Sequence, residues 1–180
     1  MHSCLVGSEM CIRDRHRMQV IDTDLMGVSW LGGAGTLSSP VDVEVEGEYA
    51  FVLDAFRDGQ GWSGLNTCDV SEPGSAVFLD NELITGFSRR LALRWPYVYT
   101  ASLYTGLAIL DVSDPSDIRT RSTINLADQY NGETIDVCVS DGIAYVANTH
   151  RLVVLDVTDP DAPVIVDELE VSAECVHVDG

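Results

Sequence analysis

The sequence contains no lysine, so its ten basic residues are all arginines, and 29 acidic residues give it a formal net charge of -19. A field of this sign repels phosphate backbones and anionic lipid surfaces. We therefore expect no nucleic acid partner. No stretch approaches the roughly 18 consecutive apolar residues of a membrane-spanning helix, which predicts no membrane insertion within these residues.

Motifs for common catalytic chemistry are also missing. The sequence has no G-x-S-x-G, no H-E-x-x-H and no P-loop, and the glycine-rich run from Gly32 to Gly35 lies in an apparent linker. Acidic pairs occur throughout so acidic a chain, so they neither support nor exclude a glycosidase-type carboxylate pair. The sequence assigns no catalytic residue.

What the sequence does contain is a repeat. Three segments align without gaps: PVDVEVEGEYAFV at 40–52, SRRLALRWPYVYT at 88–100 and TIDVCVSDGIAYV at 134–146. Apolar residues alternate on both sides of a two-residue turn, such as Glu46-Gly47 or Asp141-Gly142. This pattern is typical of a β-hairpin whose turn glycine adopts a positive φ. A fourth copy, AECVHVDG, begins at Ala173.

A second block follows each hairpin: GLNTCDVSEP at 64–73, GLAILDVSDP at 106–115 and RLVVLDVTDP at 151–160. Each predicts a buried strand that stops at a turn, because proline lacks the N–H of a strand ladder and the preceding Asp or Ser bonds the turn's backbone. A weaker stretch after each proline, such as 164–171, predicts a fourth, outer strand.

The spacing of equivalent aspartates supports a propeller. Asp69, Asp111 and Asp156 lie 42 and 45 residues apart, and a degenerate copy ends at Asp22. Four strands per repeat of this length predict an all-β partial β-propeller of four-stranded antiparallel blades, about three blades with fragments at both ends. A β-sandwich is the alternative. The predicted segments are 1–15 (artefact or disordered), 16–39 (remnant of a preceding blade and linker), 40–87, 88–133 and 134–172 (blades), and 173–180 (start of a truncated next blade).

These residues resemble the LVIVD-repeat family, whose hairpin and L-x-V-x-D-V-S-D-P block are matched by Ala144 to Ala147 with Leu152 to Pro160, and by Gly106 to Pro115. The second repeat departs from the pattern at Trp95-Pro96, and the first at Asn66-Thr67. The resemblance implies an extracellular or cell-surface propeller. Residues 4–15, CLVGSEMCIRDR, instead resemble translated sequencing adaptor and lack the features of a signal peptide.

Three cysteines remain beyond that segment, and they form no CxxC pair. Cys68 takes the place of Leu110 and Leu155 in the other repeats, which predicts a small core residue. Cys138 and Cys175 begin successive repeats, so a disulfide between them stays open.

Ligand sites on propellers gather at the links between the second and third strands of each blade. The predicted links are 53–63, 101–105 and 147–150, and the first is six residues longer than its neighbour. It offers carboxylates, a guanidinium and a flat aromatic ring on a glycine-punctuated backbone. The candidate ligand-binding residues are Asp54, Arg57, Asp58, Trp62, Tyr104, Asn148 and His150.

The aspartate-rich turns invite a calcium hypothesis, because Asp111, Asp114 and Asp117 recur as Asp156, Asp159 and Asp161. The D-x-D-x-D-G spacing of a compact calcium loop is absent, and turn capping accounts for Asp114 and Asp159 without a metal. We therefore assign no cofactor and no metal ligand, and keep calcium as the alternative.

Two functional hypotheses follow. The first is a non-enzymatic extracellular or cell-surface scaffold whose loops bind a protein or a glycan. The second is an extracellular hydrolase or lyase with carboxylates on the loop face. Three repeats are fewer than the four to eight blades of a closed ring, so we also expect missing blades of the same chain as partners.

Overall fold

The computed structural model describes residues 3–6, 9–14, 17–22, 29–32, 39–57, 62–72, 75–126 and 132–178. Side chains are described within 39–55, 62–72, 75–126 and 132–178. The strands of these residues are β1 Ser3–Val6, β2 Glu9–Asp14, β3 Arg17–Asp22, β4 Ser29–Gly32, β5 Pro40–Glu46, β6 Tyr49–Arg57, β7 Trp62–Asp69, β8 Val77–Thr85, β9 Ser88–Arg94, β10 Tyr97–Ser102, β11 Gly106–Asp111, β12 Arg119–Ile124, β13 Thr134–Ser140, β14 Ile143–Asn148, β15 Arg151–Asp156 and β16 Val164–Glu170.

The strands form four four-stranded sheets, each of four strands that follow one another in the chain. We call β5–β8 the first blade, β9–β12 the second and β13–β16 the third. Every pairing with a determined register is antiparallel. The predicted fold class is thereby confirmed.

The remaining sheet, β1–β4, includes residues 3–6 and 9–14 of the segment that we interpreted as an artefact. The interpretation of that segment as an artefact stays a prediction, and so do the domain boundaries.

The chain divides into two compact units. Unit 1 comprises Met1–Leu83 with Asp114–Ile118, and unit 2 comprises Ile84–Ser113 with Arg119–Gly180. Within the described ranges, no helix is long and apolar enough to span a membrane.

The three predicted hairpins are β5–β6, β9–β10 and β13–β14. In the third, Asp141 (φ 48) and Gly142 (φ 77) both adopt the left-handed conformation that a two-residue hairpin turn requires. In the first, β5 continues through Glu46, so the turn is Gly47-Glu48 rather than the predicted Glu46-Gly47. The second turns at Trp95-Pro96, which are joined by a cis peptide bond.

The core of unit 2 lies between the second and third blades. Alternating apolar residues of the two sheets form one cluster because every second side chain of a strand points to the same face. Its members are Tyr99, Ala101, Leu107, Ile109 and Leu126 with Val137, Val139, Ala144, Val146, Val153, Leu155 and Val157. Burial of this kind raises the pKa of the Tyr99 hydroxyl, with a further contribution from Tyr97.

Unit 1 contains a smaller apolar cluster of Val43, Ala50, Val52, Cys68 and Val70. The prediction that Cys68 is a core residue is confirmed, since it is buried and lies opposite Ala50 in the β6–β7 register. Cys138 is half-buried and Cys175 exposed, and both are free thiols in the structure, so the disulfide is not formed there.

In each of the three blades, the third strand ends at an aspartate whose carboxylate caps the turn that follows. Asp111 Oδ1 accepts the Ser113 N–H at 3.0 Å, and Asp156 Oδ1 accepts the Thr158 N–H at 2.9 Å. The predicted capping by Asp114 and Asp159 is confirmed as well. They accept the N–H of Ser116 at 2.9 Å and of Asp161 at 3.0 Å.

Candidate functional site

The links between second and third strands differ from the prediction in the first blade. We expected a loop over 53–63, but β6 extends to Arg57 and β7 begins at Trp62. Asp54 still pairs with Gly64, and a register shift leads on to the pairing of Arg57 with Trp62. The backbone ladder therefore takes up most of the predicted loop.

Asp54 is the last regular position of that ladder before the shift, and it is completely buried. Its Oδ1 accepts the backbone N–H of Ser39 at 2.8 Å. Ala55 in turn donates its N–H to the Ser39 carbonyl at 3.0 Å. The carboxylate thus fastens the entry of the first blade to the end of β6.

Neutral side chains at the equivalent positions of unit 2 also bond to the backbone of the segment that precedes their blade. Ser102 Oγ donates to the Thr85 carbonyl at 3.3 Å, and Asn148 Nδ2 donates to the Gly132 carbonyl at 3.0 Å. Both residues are buried. Together with Asp54 they form a set that we call the entry latches, because each bonds a residue one to three positions before the first strand of its own blade. For Ser102 that residue, Thr85, is also the last residue of β8.

Tyr104 lies in the short link Leu103–Thr105 and is 55% exposed. Its ring packs against the Phe87 ring in a T-shaped contact, with the ring centroids 5.8 Å apart. The link is fixed on both sides of the ring: Leu103 donates its N–H to the Phe87 carbonyl at 2.8 Å, and Thr105 Oγ1 donates to the Thr85 carbonyl at 2.7 Å. The exposed ring therefore has a defined position.

His150 takes the corresponding position in the link of the third blade and is also exposed. Its backbone N–H donates to Asn148 Oδ1 at 3.1 Å, and Thr149 Oγ1 accepts the Glu133 N–H at 3.0 Å. Gly132 leaves no room for a side chain, since a Cβ there would meet the side-chain oxygens of Asn148 and Thr149. The exposed imidazole stands on a tightly held backbone.

The other predicted residues lie in unit 1. Trp62 opens β7 and is 39% exposed. Arg57 closes β6, but its side chain and all of Asp58 lie outside the described residues. The structure therefore divides the predicted set between the two units, and the ligand role of its members stays a prediction.

Sequence reasoning missed the residues that hold these links. Phe87, Ser102 and Thr105 orient the Tyr104 link, although none stood out as a candidate. The available signal was Gly86, which precedes the second blade where Gly132 precedes the third and whose φ is 92°. A Cβ at Gly86 would meet Thr105 Oγ1 at 2.7 Å.

No group of three or more His, Cys, Asp or Glu side chains arranged to hold a metal occurs in the part of the chain whose side chains are described. Calcium binding stays a prediction. The turn aspartates carry local hydrogen bonds instead. Hydrogen bonds from the hydroxyl and the N–H of Thr158 lower the pKa of Asp156, and those of Ser71 lower the pKa of Asp69.

Successive four-stranded antiparallel sheets with hydrogen-bonded strand links define a repeat protein of the β-propeller type. The LVIVD repeat model matches residues 39–81, 85–125 and 131–170. The chain therefore belongs to the LVIVD repeat family. No curated protein matches it.

Solved structures with the same fold are distant in sequence. The computationally designed Ika8 protein has a TM-score of 0.70 at 8% identity, over 99% of this chain and 52% of that one. The β-propeller domain of Cps50 (Swd1) from Myceliophteria thermophila has a TM-score of 0.66 at 13% identity, over 92% and 53%. A protein from Desulfotomaculum acetoxidans DSM 771 has a TM-score of 0.54 at 11% identity, over 94% and 69%. The chain thus spans about half the length of the first and second of these.

Proposed function

We propose that the protein is a non-enzymatic extracellular or cell-surface scaffold whose strand links bind a glycan or protein partner. The observation that carries the proposal is the Tyr104 link. An exposed aromatic ring is fixed there by Phe87 and by hydrogen bonds at both of its neighbours. A ring that is already ordered loses little conformational entropy when a partner stacks on it.

A hydrogen-bonded link recurs one blade later, where His150 takes the position of Tyr104. Both links combine an exposed, flat and partly polar side chain with a neighbouring threonine, Thr105 or Thr149. Such pairs suit a neutral glycan, whose C–H faces stack on rings while its hydroxyls bond to polar neighbours. The net charge of -19 further favours a neutral or basic partner over an anionic one.

Glycan binding is tested by screening the purified chain against an array of neutral oligosaccharides, beside the variant Tyr104→Ala. We expect at least a tenfold loss of binding in the variant. Trp95→Ala is the matched control, because Trp95 is 48% exposed but lies in the turn at the other end of β10. It should bind as the unaltered chain does.

Equal losses for the two variants, or none for Tyr104→Ala, would count against the Tyr104 link as the binding surface. Surface location is tested separately with an antibody against the chain. Intact producing cells should be labelled as strongly as permeabilised ones. Labelling that requires permeabilisation would contradict an extracellular location.

A further inference from the structure

The Asp-Pro turn of the second blade is bound by the third and fourth strands of the first blade, β7 and β8. Thr67 of β7 donates its hydroxyl to the Pro115 carbonyl at 2.5 Å. Asp80 of β8 accepts the backbone N–H of Ile118 on Oδ2 at 2.9 Å. The turn and the strands belong to one compact unit. The turn that closes a third strand is thus also a docking element.

The next Asp-Pro turn is bound in unit 2 by a different pair. Ser122 of β12 donates its hydroxyl to the Pro160 carbonyl at 2.6 Å. Arg121 binds the carboxylate of Asp161 with two nitrogens, Nε at 2.9 Å from Oδ1 and a terminal nitrogen on Oδ2. The bidentate contact raises the pKa of Arg121 and lowers that of Asp161. This turn is held through the Asp161 side chain and the Pro160 carbonyl, whereas the preceding turn is held in part through the Ile118 N–H.

The change of partner follows from the turn's own sequence. Pro163 stands three residues after Pro160, where the preceding turn has Ile118 three residues after Pro115. Proline has no N–H, so a carboxylate facing it would find no donor. In β12 a serine, Ser122, stands where β8 has Asp80, and its hydroxyl donates to a carbonyl instead. We call this position of the fourth strand the receiving position. The side chain on the fourth strand is thus an acceptor where the incoming turn offers an N–H, and a donor where the turn offers only a carbonyl.

The register shows which residue of β16 holds the receiving position. Ser122 lies opposite Ile109, and Asp167 lies opposite Val154. Asp80 lies at the same level in the first blade, since its N–H donates to Thr67 Oγ1 at 3.1 Å. The preceding residues are Leu79, Arg121 and Val166. The third blade therefore repeats the apolar-Asp pair of the first blade and not the Arg-Ser pair of the second.

The face beside this position has the composition of a covered interface. Tyr99 and Ile109 of the second blade are buried in the unit 2 core against the third blade. Their counterparts in the third blade, Tyr145 and Val154, are only half-buried. On β16 itself, Val164 is 58% and Val166 55% exposed. An apolar strip thus continues the established interface by one repeat.

We propose that β16 is a docking strip for a further LVIVD-type repeat, and that Asp167 accepts the backbone N–H three residues after the proline of its Asp-Pro turn. Asp167 Oδ1 already accepts the Glu168 N–H at 2.8 Å. Its Oδ2 would therefore accept the incoming N–H, as Asp80 Oδ2 accepts that of Ile118. The incoming turn must therefore carry a residue other than proline at that position. A turn of the Pro163 kind is excluded from this strip.

The proposal is tested by lengthening the chain. A copy of residues 97–126, which carries the second blade's turn with Ile118, is appended after Gly180. Asp167→Asn is introduced into the lengthened chain and the natural chain, and Asp80→Asn into the natural chain as a calibration. Urea unfolding midpoints are measured for each. Asp167→Asn should lower the midpoint of the lengthened chain about as much as Asp80→Asn lowers that of the natural chain, and should leave the natural chain unchanged.

A second pair of variants separates docking from a general effect of the carboxylate. Ile118→Pro, made only in the appended copy, should abolish the effect of Asp167→Asn. Equal effects of Asp167→Asn in the natural and lengthened chains would overturn the proposal. It is also overturned if the appended residues leave the amide hydrogen exchange of Val164 to Glu170 as fast as in the natural chain.

Discussion

The side-chain nitrogen of Asn148 donates a hydrogen bond of 3.0 Å to the carbonyl oxygen of Gly132, and the side-chain oxygen of Asn148 accepts the His150 N–H. One buried side chain therefore ties together the entry of the third blade and the link that carries the exposed imidazole. Asp54 and Ser102 occupy the same position in the other blades. The entry latches connect blade architecture to the candidate binding surface.

Replacing this latch should cost stability. Asn148→Ala leaves the Gly132 carbonyl and the His150 N–H without their partner, and we expect a loss of about 1–3 kcal/mol in the free energy of unfolding. Urea unfolding followed by tyrosine and tryptophan fluorescence measures it. His150→Ala is the matched control and should change stability little, because the imidazole is exposed. Equal losses for both variants would show that the amide has no special role.

A buried hydroxyl in β10 predicts a stabilising substitution. Within the described side chains, Thr100 Oγ1 is buried and has no hydrogen-bond partner. Thr100→Val removes this unsatisfied group at nearly constant shape and should add about 1 kcal/mol to the free energy of unfolding. Differential scanning calorimetry should show a higher Tm.

Thr67 supplies the comparison for Thr100. It is equally buried, but its hydroxyl donates to the Pro115 carbonyl and accepts the Asp80 N–H. Thr67→Val should therefore lower the Tm. If the two valine variants shift the Tm in the same direction, hydrogen bonding does not distinguish the two hydroxyls.

Glycines 106 and 47 both have positive φ, at 94° and 58°, but differ in their surroundings. A Cβ at Gly106 would run into the Ile124 carbonyl and the Leu126 N–H, which are backbone atoms. At Gly47 nothing lies within 4 Å. Gly47→Ala should cost about 1–2 kcal/mol for the left-handed backbone alone. Gly106→Ala should cost about 1–3 kcal/mol more, because the backbone must also move.

Thermal unfolding of the two alanine variants under the same conditions measures this difference. The contact of Gly106 is with the end of β12 and the segment beyond it, so its variant should also speed amide exchange there. A loss at Gly47 as large as that at Gly106 would indicate that backbone strain, and not the close approach, determines the cost.

The sequence predicted the strands well because their signal is local. Alternation around Asp141-Gly142 and the stop at Asp159-Pro160 require only neighbouring residues, and both appear where expected. The link at 53–63 was wrong in extent, because its composition of Asp, Gly and Arg resembles a loop while its backbone continues the β6–β7 ladder. The low strand propensity of these residues is outweighed there by hydrogen bonding between the two strands.

The candidate site was harder to predict because it depends on contacts across the repeat. Asp54 and Asn148 have the residue types of ligands, yet both are buried and bonded to the backbone of residues 39 and 132. Their burial follows from the register that sets them opposite Pro40 and Thr134. Tyr104 and His150, each two residues beyond the end of the preceding strand, are exposed to solvent.

Asp156 makes stability depend on pH in the acid range. Its Oδ1 accepts both the hydroxyl of Thr158 at 2.6 Å and its N–H at 2.9 Å, which lowers the pKa of the carboxyl in the folded chain. A group with a lowered folded pKa stabilises the fold above its unfolded pKa, about 4 for aspartate, and loses that contribution as pH falls through the folded pKa. Asp156→Asn should therefore be less stable than the unaltered chain at neutral pH, with the difference shrinking below about pH 4.

Unfolding midpoints measured from pH 2 to pH 7 test this, and Thr158→Val provides the control. The valine lacks the hydroxyl that contributes most to the lowering, so NMR titration should find the pKa of Asp156 closer to the ordinary value in that variant. The acid dependence of its stability should weaken to match. A stability difference between the unaltered chain and Asp156→Asn that stays constant across the whole range would show that the charge of this carboxylate contributes nothing to the turn.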